Sequence, residues 1–332
     1  MPRIVSRVAM LAAALTAMLA LAGPALAAPV ESGAFPATVK HKFGQTTITT
    51  EPKRVVVVGL REQDALLALG VVPVGTTEWF GNHPGAIFPW AKKALGKAPV
   101  PKRLGFTDGI EIEKVAALRP DLIVAIYSGL AKKDYDKLSK LAPTIAQPRG
   151  QIDWGASWQD DITMVGAAVG RPKAAAALKA KSVALIAAAA KKHPEFKGQT
   201  GAVATPYEGI YVYAPADARS RFLTDLGFTF PKALRKIGGK DFGGQLAAEK
   251  IGLLDVGALI WFAGPGPAAK IKKNRLYATL NVHTQGRDIF IPEKGTLYEA
   301  TSFLSVLSIP LLVDKLVPRI AAAADGNPAT KA

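Results

Sequence analysis

Arginine and aromatic residues recur where apolar runs of this sequence give way to polar loops. The first half offers Arg61, then Trp79 and Phe80 in TTEWFG, Arg103 in PKRLGF, and Tyr127 directly after LIVAI. The second half offers Tyr207, Arg219, Arg221, Trp261, Phe262 and Tyr298. A guanidinium presents forked donors to carboxylate or catecholate oxygens. Aromatic rings pack on flat organic groups and accept cation–π contacts. Arg61, Trp79, Arg103, Tyr127, Tyr207, Arg221 and Tyr298 therefore form the candidate ligand-contacting set. Trp261 ends an apolar run and reads equally as core. Trp158 opens a helix and reads as packing. Arg103 reads equally as a surface charge, and Arg219 and Arg221 share one junction where a single arginine need point inward.

Two acids form a second pattern. EKVAALRPDLIV, from Glu113, aligns with EKIGLLDVGALI, from Glu249, with Glu, Lys, a β-branched residue and Leu in register. Each Glu opens a helix, where the helix dipole favours an anion. That local effect explains a Glu at either place but not the recurrence of the place; chance likeness between two generic helix–strand units stays open.

Other chemistries find less support. Cysteine is absent, which excludes disulfides, thiolate ligands, a cysteine nucleophile and a lipidated cysteine. Of His41, His83, His193 and His283, only His83 and His283 fall in loops suited to a ligand, too few for a zinc-type site. No G-x-G-x-x-G follows the first strand, and neither G-x-x-x-x-G-K-[ST] nor G-x-S-x-G occurs, so catalysis is not expected. The net charge of +16 attracts anions. Its lysines and arginines are scattered, so nucleic acid is not an expected partner.

These residues need a scaffold. Strands are expected over 54–58, 71–75, 121–126 and 143–146, alternating with short helices over 64–69, 112–118 and 135–141. That order implies a mainly parallel sheet wrapped by helices. Helices over 158–169 and 172–192 follow, the second about 30 Å long. A second α/β region has strands over 201–205, 209–213, 258–261 and 288–291, and helices over 219–226 and 248–254. The tail, 305–324, is helical with breaks at Pro310 and Pro318.

Residues 1–27 read as a cleavable leader: Arg3 and Arg7, an apolar stretch over 8–22, then Ala25-Leu26-Ala27 in A-x-A form. Cleavage there leaves a chain starting near Ala28 with charge +14, once Arg3 and Arg7 are gone. No later stretch reaches the ~18 apolar residues of a membrane span. An exported, non-spanning protein is expected.

The segments PKRVVVVG, DALLALGVVPVG, IEKVAALRPDLIVA, YDKLSKLAPTIA, GAAVGRPKAAAAL, FLTDLGF and AAEKIGLLDVGALIW, in this order, cover nearly all of the chain after the leader. Together they resemble the periplasmic substrate-binding proteins of ABC importers for ferric siderophores and cobalamin. The resemblance implies two doubly wound α/β lobes, 28–153 and 196–332, joined through a helical linker, 154–195, that contains one long rigid helix. It places the ligand in the cleft between lobes, where the candidate set would lie on loops after the carboxyl ends of the strands. It implies a ferric siderophore as ligand, no cofactor, and a monomer that meets an inner-membrane ABC permease. In such proteins an exposed Glu on each lobe meets permease arginines, and Glu113 and Glu249 hold the matching positions. Both are expected at the amino ends of their strands, away from the ligand. Cobalamin, haem or a metal ion are alternatives on the same fold; a secreted α/β enzyme is the alternative in another class.

Overall fold

The computed structural model describes residues 28–106, 109–327 and 329–330; the expected leader, 1–27, lies outside them. A hairpin that the sequence reading did not anticipate comes first: β1 (Ala37–His41) pairs antiparallel with β2 (Gly44–Ile48). Its residues alternate between core and solvent, as a half-buried hairpin requires. Thr46 Oγ1 donates to the Thr144 carbonyl at 2.6 Å and fastens the hairpin to the first lobe.

That lobe is built on β3 (Val55–Val57), β4 (Gly75–Thr77), β5 (Lys102–Leu104), β6 (Leu122–Ala125) and β7 (Thr144–Ala146). All neighbours are parallel, in the order β5-β4-β3-β6-β7. The central strands are buried throughout, which is why VVV and LIVA read as continuous apolar runs rather than alternating ones. β4 starts later than the sequence suggested because Pro73 has no N–H to give a ladder. The Asp121 carboxylate accepts the Lys53 and Arg54 amides at 2.7 and 2.8 Å, tying the entries of β3 and β6 together.

The second lobe holds β8 (Gly201–Thr205), β9 (Ile210–Tyr213), β10 (Gly243–Leu246), β11 (Ala258–Phe262) and β12 (Asp288–Ile291), in the order β10-β9-β8-β11-β12. Here β8, β11 and β12 are parallel, but β9 runs antiparallel to both of its neighbours. Residues 206–209 are too few for a parallel crossover, which takes a dozen or more, so β8 must turn back on itself.

Between the lobes lie helix Trp158–Ala168 and the 21-residue helix Pro172–Lys192. Ser157 and Asp160 form a capping box that fixes the start of the first. Pro172 stands at the start of the second, where its missing N–H costs nothing. Gly166 lets the two pack closely: a Cβ there would sit 2.2 Å from that of Ala175. Among the described residues no helix is long and apolar enough to cross a membrane.

Candidate functional site

Residues that leave the carboxyl ends of strands in both sheets line one interlobe cavity of about 450 Å³. The first lobe contributes Leu60 after β3, Trp79 after β4, Phe106 after β5 and Tyr127 after β6, with Trp154 from the junction. The second contributes Thr205 and Tyr207 at the β8 turn, Tyr211 and Tyr213 on β9, Phe242 before β10, and Tyr298 and Phe303 on helix Thr296–Phe303. The wall is therefore mainly aromatic. Trp79 and Tyr207 stand on opposite rims, 55% and 62% exposed, while Tyr127 is buried. Trp154 meets Phe106 and Tyr127 edge-on, at centroid distances of 5.4 and 5.5 Å. Gly129 allows this arrangement: its φ is +57°, and a Cβ there would meet the indole at 2.8 Å.

Trp79, Tyr127, Tyr207 and Tyr298 thus come together as the sequence suggested, whereas Arg61, Arg103 and Arg221 do not line this cavity. Arg103 lies within edge strand β5, not in a loop beyond it, and its side chain pairs with Glu78 at 2.8 Å and with Asn82. Arg221 donates to the Gly155 carbonyl at 2.8 Å and lines a separate groove with Trp158 and Asp225. Arg219 lines the cavity instead. Two residues on a helix are about 200° apart, so these two arginines leave helix Ala218–Asp225 on opposite sides. Burial opposes the charge on Arg219, but the adjacent Asp217 carboxylate, 2.8 Å away, holds its pKa above the usual value. The guanidinium also lies 4.1 Å from the Tyr213 ring centroid. Burial raises the Tyr213 and Tyr298 phenols, which stay protonated donors.

Tyr211 and Tyr213 were legible but not read. IYVY alternates, with both tyrosines on one face of β9 and Val212 in the core behind. Trp261 is core, its indole donating to Tyr277 at 2.9 Å. His83 lies 3.1 Å from both Glu299 carboxylate oxygens, across the lobe interface. His283 lies away from the cavity, on the helix entering β12, 2.8 Å from Asp288.

Arg61 proves to be a clasp. It is 2% exposed, and its guanidinium donates to Asp161 at 2.5 Å, the Ala156 carbonyl at 2.5 Å and the Phe303 carbonyl at 3.0 Å. Its carbon sits 3.9 Å from the Tyr127 ring centroid, so it supports the cavity floor from behind. One turn on, the Asp64 carboxylate receives the Trp90 indole at 2.6 Å and the Ser305 hydroxyl. First-lobe groups thereby hold residues 303–305 of the second, where Leu304 takes the left-handed backbone, φ +38°. A non-glycine residue there is strained, and the surrounding bonds must maintain it.

Burial pushes the Asp64 carboxyl up to about 6 against the Ser305 and Trp90 hydrogen bonds, and pushes Asp161 up to about 7 against Arg61. Below the unperturbed value of 3.8, Asp64 is neutral in both folded and unfolded chains. As pH rises through about 6 the folded side must ionise in a buried setting, and stability is lost. The thermal midpoint is expected to fall between about pH 4 and pH 7, and Asp64→Asn to flatten part of that fall. Midpoints of the two proteins measured by circular dichroism across this range check it; parallel curves would refute the role of Asp64.

Glu113 and Glu249 are both exposed, in the first turns of helices Ile112–Ala117 and Ala248–Leu254. Their expected position at the amino ends of strands needs correction. A helix leading into a parallel strand begins at the carboxyl edge and runs back. Beside Glu113, Glu111 accepts the Gly105 amide just beyond β5, while the far end, Leu118, accepts from Arg54 just before β3. The helix bearing Glu249 likewise starts just after β10, which is parallel to β8 through two antiparallel pairings. Both acids thus flank the edge where the cavity lies.

Two α/β lobes with a cavity at the facing carboxyl edges define a solute-binding protein. The chain belongs to the periplasmic binding protein family, whose family model matches residues 55–294. A solved periplasmic solute binding protein from Mycobacterium smegmatis is 34% identical with TM-score 0.76, over 87% of this chain and 98% of that one. PiaA of Streptococcus pneumoniae, solved in complex with ferrichrome, is 28% identical with TM-score 0.77, over 88% and 99%. Among curated relatives, the putative ABC transporter substrate-binding lipoprotein YhfQ of Bacillus subtilis is 37% identical over 140 residues, 41% of this chain and 40% of its own length. The matched part thus spans less than half of that curated relative.

Proposed function

We propose that this chain is an exported, periplasmic binder that captures a ferric siderophore between its lobes and hands it to an inner-membrane ABC permease. It works as a monomer, without a cofactor and without catalysis. The observation that carries this reading is the aromatic interlobe cavity. Its 450 Å³ falls within the range of small-molecule sites, and its rings match the organic shell of a chelated metal better than a bare ion. The ferrichrome-bound PiaA structure, similar over nearly its whole length, supports the same reading. Among the described residues no group of three or more metal-ligating side chains offers a site for a naked ion. Glu113 and Glu249 serve as the docking acids.

Fluorescence gives the test. Trp79 and Trp154 line the cavity, so a ferric siderophore should quench tryptophan emission saturably. Replacing both by Phe should remove most of that signal. Cobalamin and haem, titrated alongside, test the alternatives. No quenching and no complex in native mass spectrometry with any ferric siderophore would overturn the proposal.

A further inference from the structure

We infer that the cleft selects ferric complexes with no net negative charge, of the tris-hydroxamate type, over trianionic tris-catecholate complexes or ferric citrate. This rests on the ferric-siderophore reading and narrows it. Three hydroxamates, each a monoanion, neutralise Fe(III); three catecholate dianions leave a charge of three minus.

The chain as a whole is strongly basic, +16, yet the cavity is not. Among the described residues that line it, Arg219 is the single cation and no lysine occurs. Arg219 is already charge-paired: Asp217, 0% exposed, accepts from Nη1 of its guanidinium and from its backbone amide at 2.8 Å, while the buried Nε has no partner and can serve a neutral ligand oxygen. Glu293 then adds a carboxylate to the wall, accepting from Thr205 Oγ1 at 2.9 Å. The other arginines that the sequence offered as anion receptors are diverted: Arg61 to Asp161, Arg103 to Glu78, and Arg221 to the Gly155 carbonyl. Arg219, Asp217 and Glu293 together leave one negative charge at the site.

A trianion entering such a site would lose water without gaining a cation whose charge is not already balanced by Asp217, which is costly away from bulk solvent. Aromatic faces carry negative π density and do not replace that cation. The lysines, none of which lines the cavity, act through salt water, where fields decay over about 8 Å at physiological ionic strength. They can speed the approach of an anion but cannot hold it. Neutral complexes meet none of these penalties, and a complex with a pendant ammonium gains Glu293 as a counter-charge.

The full chain would be titrated at physiological salt with ferrichrome (neutral), ferrioxamine B (one plus), ferric enterobactin (three minus) and ferric citrate. The neutral and cationic complexes should bind at least about tenfold more tightly than either anion. Asp217→Asn keeps the shape and the helix cap but uncovers Arg219. It should improve ferric enterobactin about tenfold and change ferrichrome less than about threefold. Glu293 is exposed, so Glu293→Gln should leave folding intact, weaken ferrioxamine B and strengthen ferric enterobactin. Equal or tighter binding of the anions by the unaltered chain would overturn the selectivity and leave siderophore capture standing. Failure of every ferric complex to bind would overturn both. An Asp217→Asn protein that is folded by circular dichroism and gains nothing for the trianion would also overturn the charge argument.

Discussion

Cells carrying Glu113→Arg together with Glu249→Arg are expected to lose uptake of the ferric complex, while the purified double mutant binds it with unchanged affinity. Both acids are exposed, and neither lines the cavity. Reversing a charge in the first turn of a helix costs only about 0.3–1 kcal/mol through the helix dipole, too little to unfold a lobe. At a docking face the arithmetic differs. An arginine set against a permease arginine replaces an attraction by a like-charge contact, a penalty of about several kcal/mol as association removes the water between them. Each single mutant should be impaired and the double mutant worst. Iron uptake in cells, set beside fluorescence titration of the same proteins, separates docking from capture. Normal uptake by the double mutant would sink the docking role, and lost affinity would place these acids at the ligand instead.

Arg61→Met should be the most destabilising single change on the lobe interface. Methionine fills much of the space but leaves the buried Asp161 carboxylate without its cation and two carbonyls without their donor. Breaking a buried ion pair from one side typically costs about 3–5 kcal/mol. The companion double mutant, Arg61→Met with Asp161→Asn, replaces a carboxyl that burial already pushes up to about 7 beside Arg61 by a neutral amide, and should recover part of the loss, more at higher pH. Urea unfolding of the three proteins measures this. A loss below about 1 kcal/mol for Arg61→Met would show that the clasp carries little of the interface.

This arginine also marks where sequence reasoning stopped. Its position after the first strand was readable, but its direction was not. A guanidinium after a strand has two directions open to it, toward a ligand or under the loop, and the deciding partner, Asp161, lies a hundred residues away. The parallel order of the first sheet was legible because buried strands give unbroken apolar runs such as LIVA. The long interlobe helix was legible from Pro172 at its start and Pro194 beyond its end. β5 and β10 were not: KRL and GGQL carry little apolar signal and pair only at sheet edges. The four aromatic site residues that the sequence did supply stand in, or just beyond, loops after strands, where the edge rule applies directly. Tyr211 and Tyr213 escaped because that rule assumes parallel strands, and β9 runs the other way.

The clasp at Leu304 has a mechanical consequence. Arg61 and Asp64 pin the second lobe's chain directly behind the cavity floor, and the long helix packs on helix Trp158–Ala168 and on second-lobe helices Ala218–Asp225 and Ile309–Lys315. Such a body behaves as a pair of jaws with a fixed fulcrum. Ligand entry needs little travel, so the radius of gyration should barely change on loading. With Glu113 and Glu249 as the proposed docking points, on the same edge as the mouth, an outward pull there is expected to widen the gap between Trp79 and Tyr207 while the floor stays where it is. A small stroke by the transporter would then suffice to unload the jaws from the rim inward.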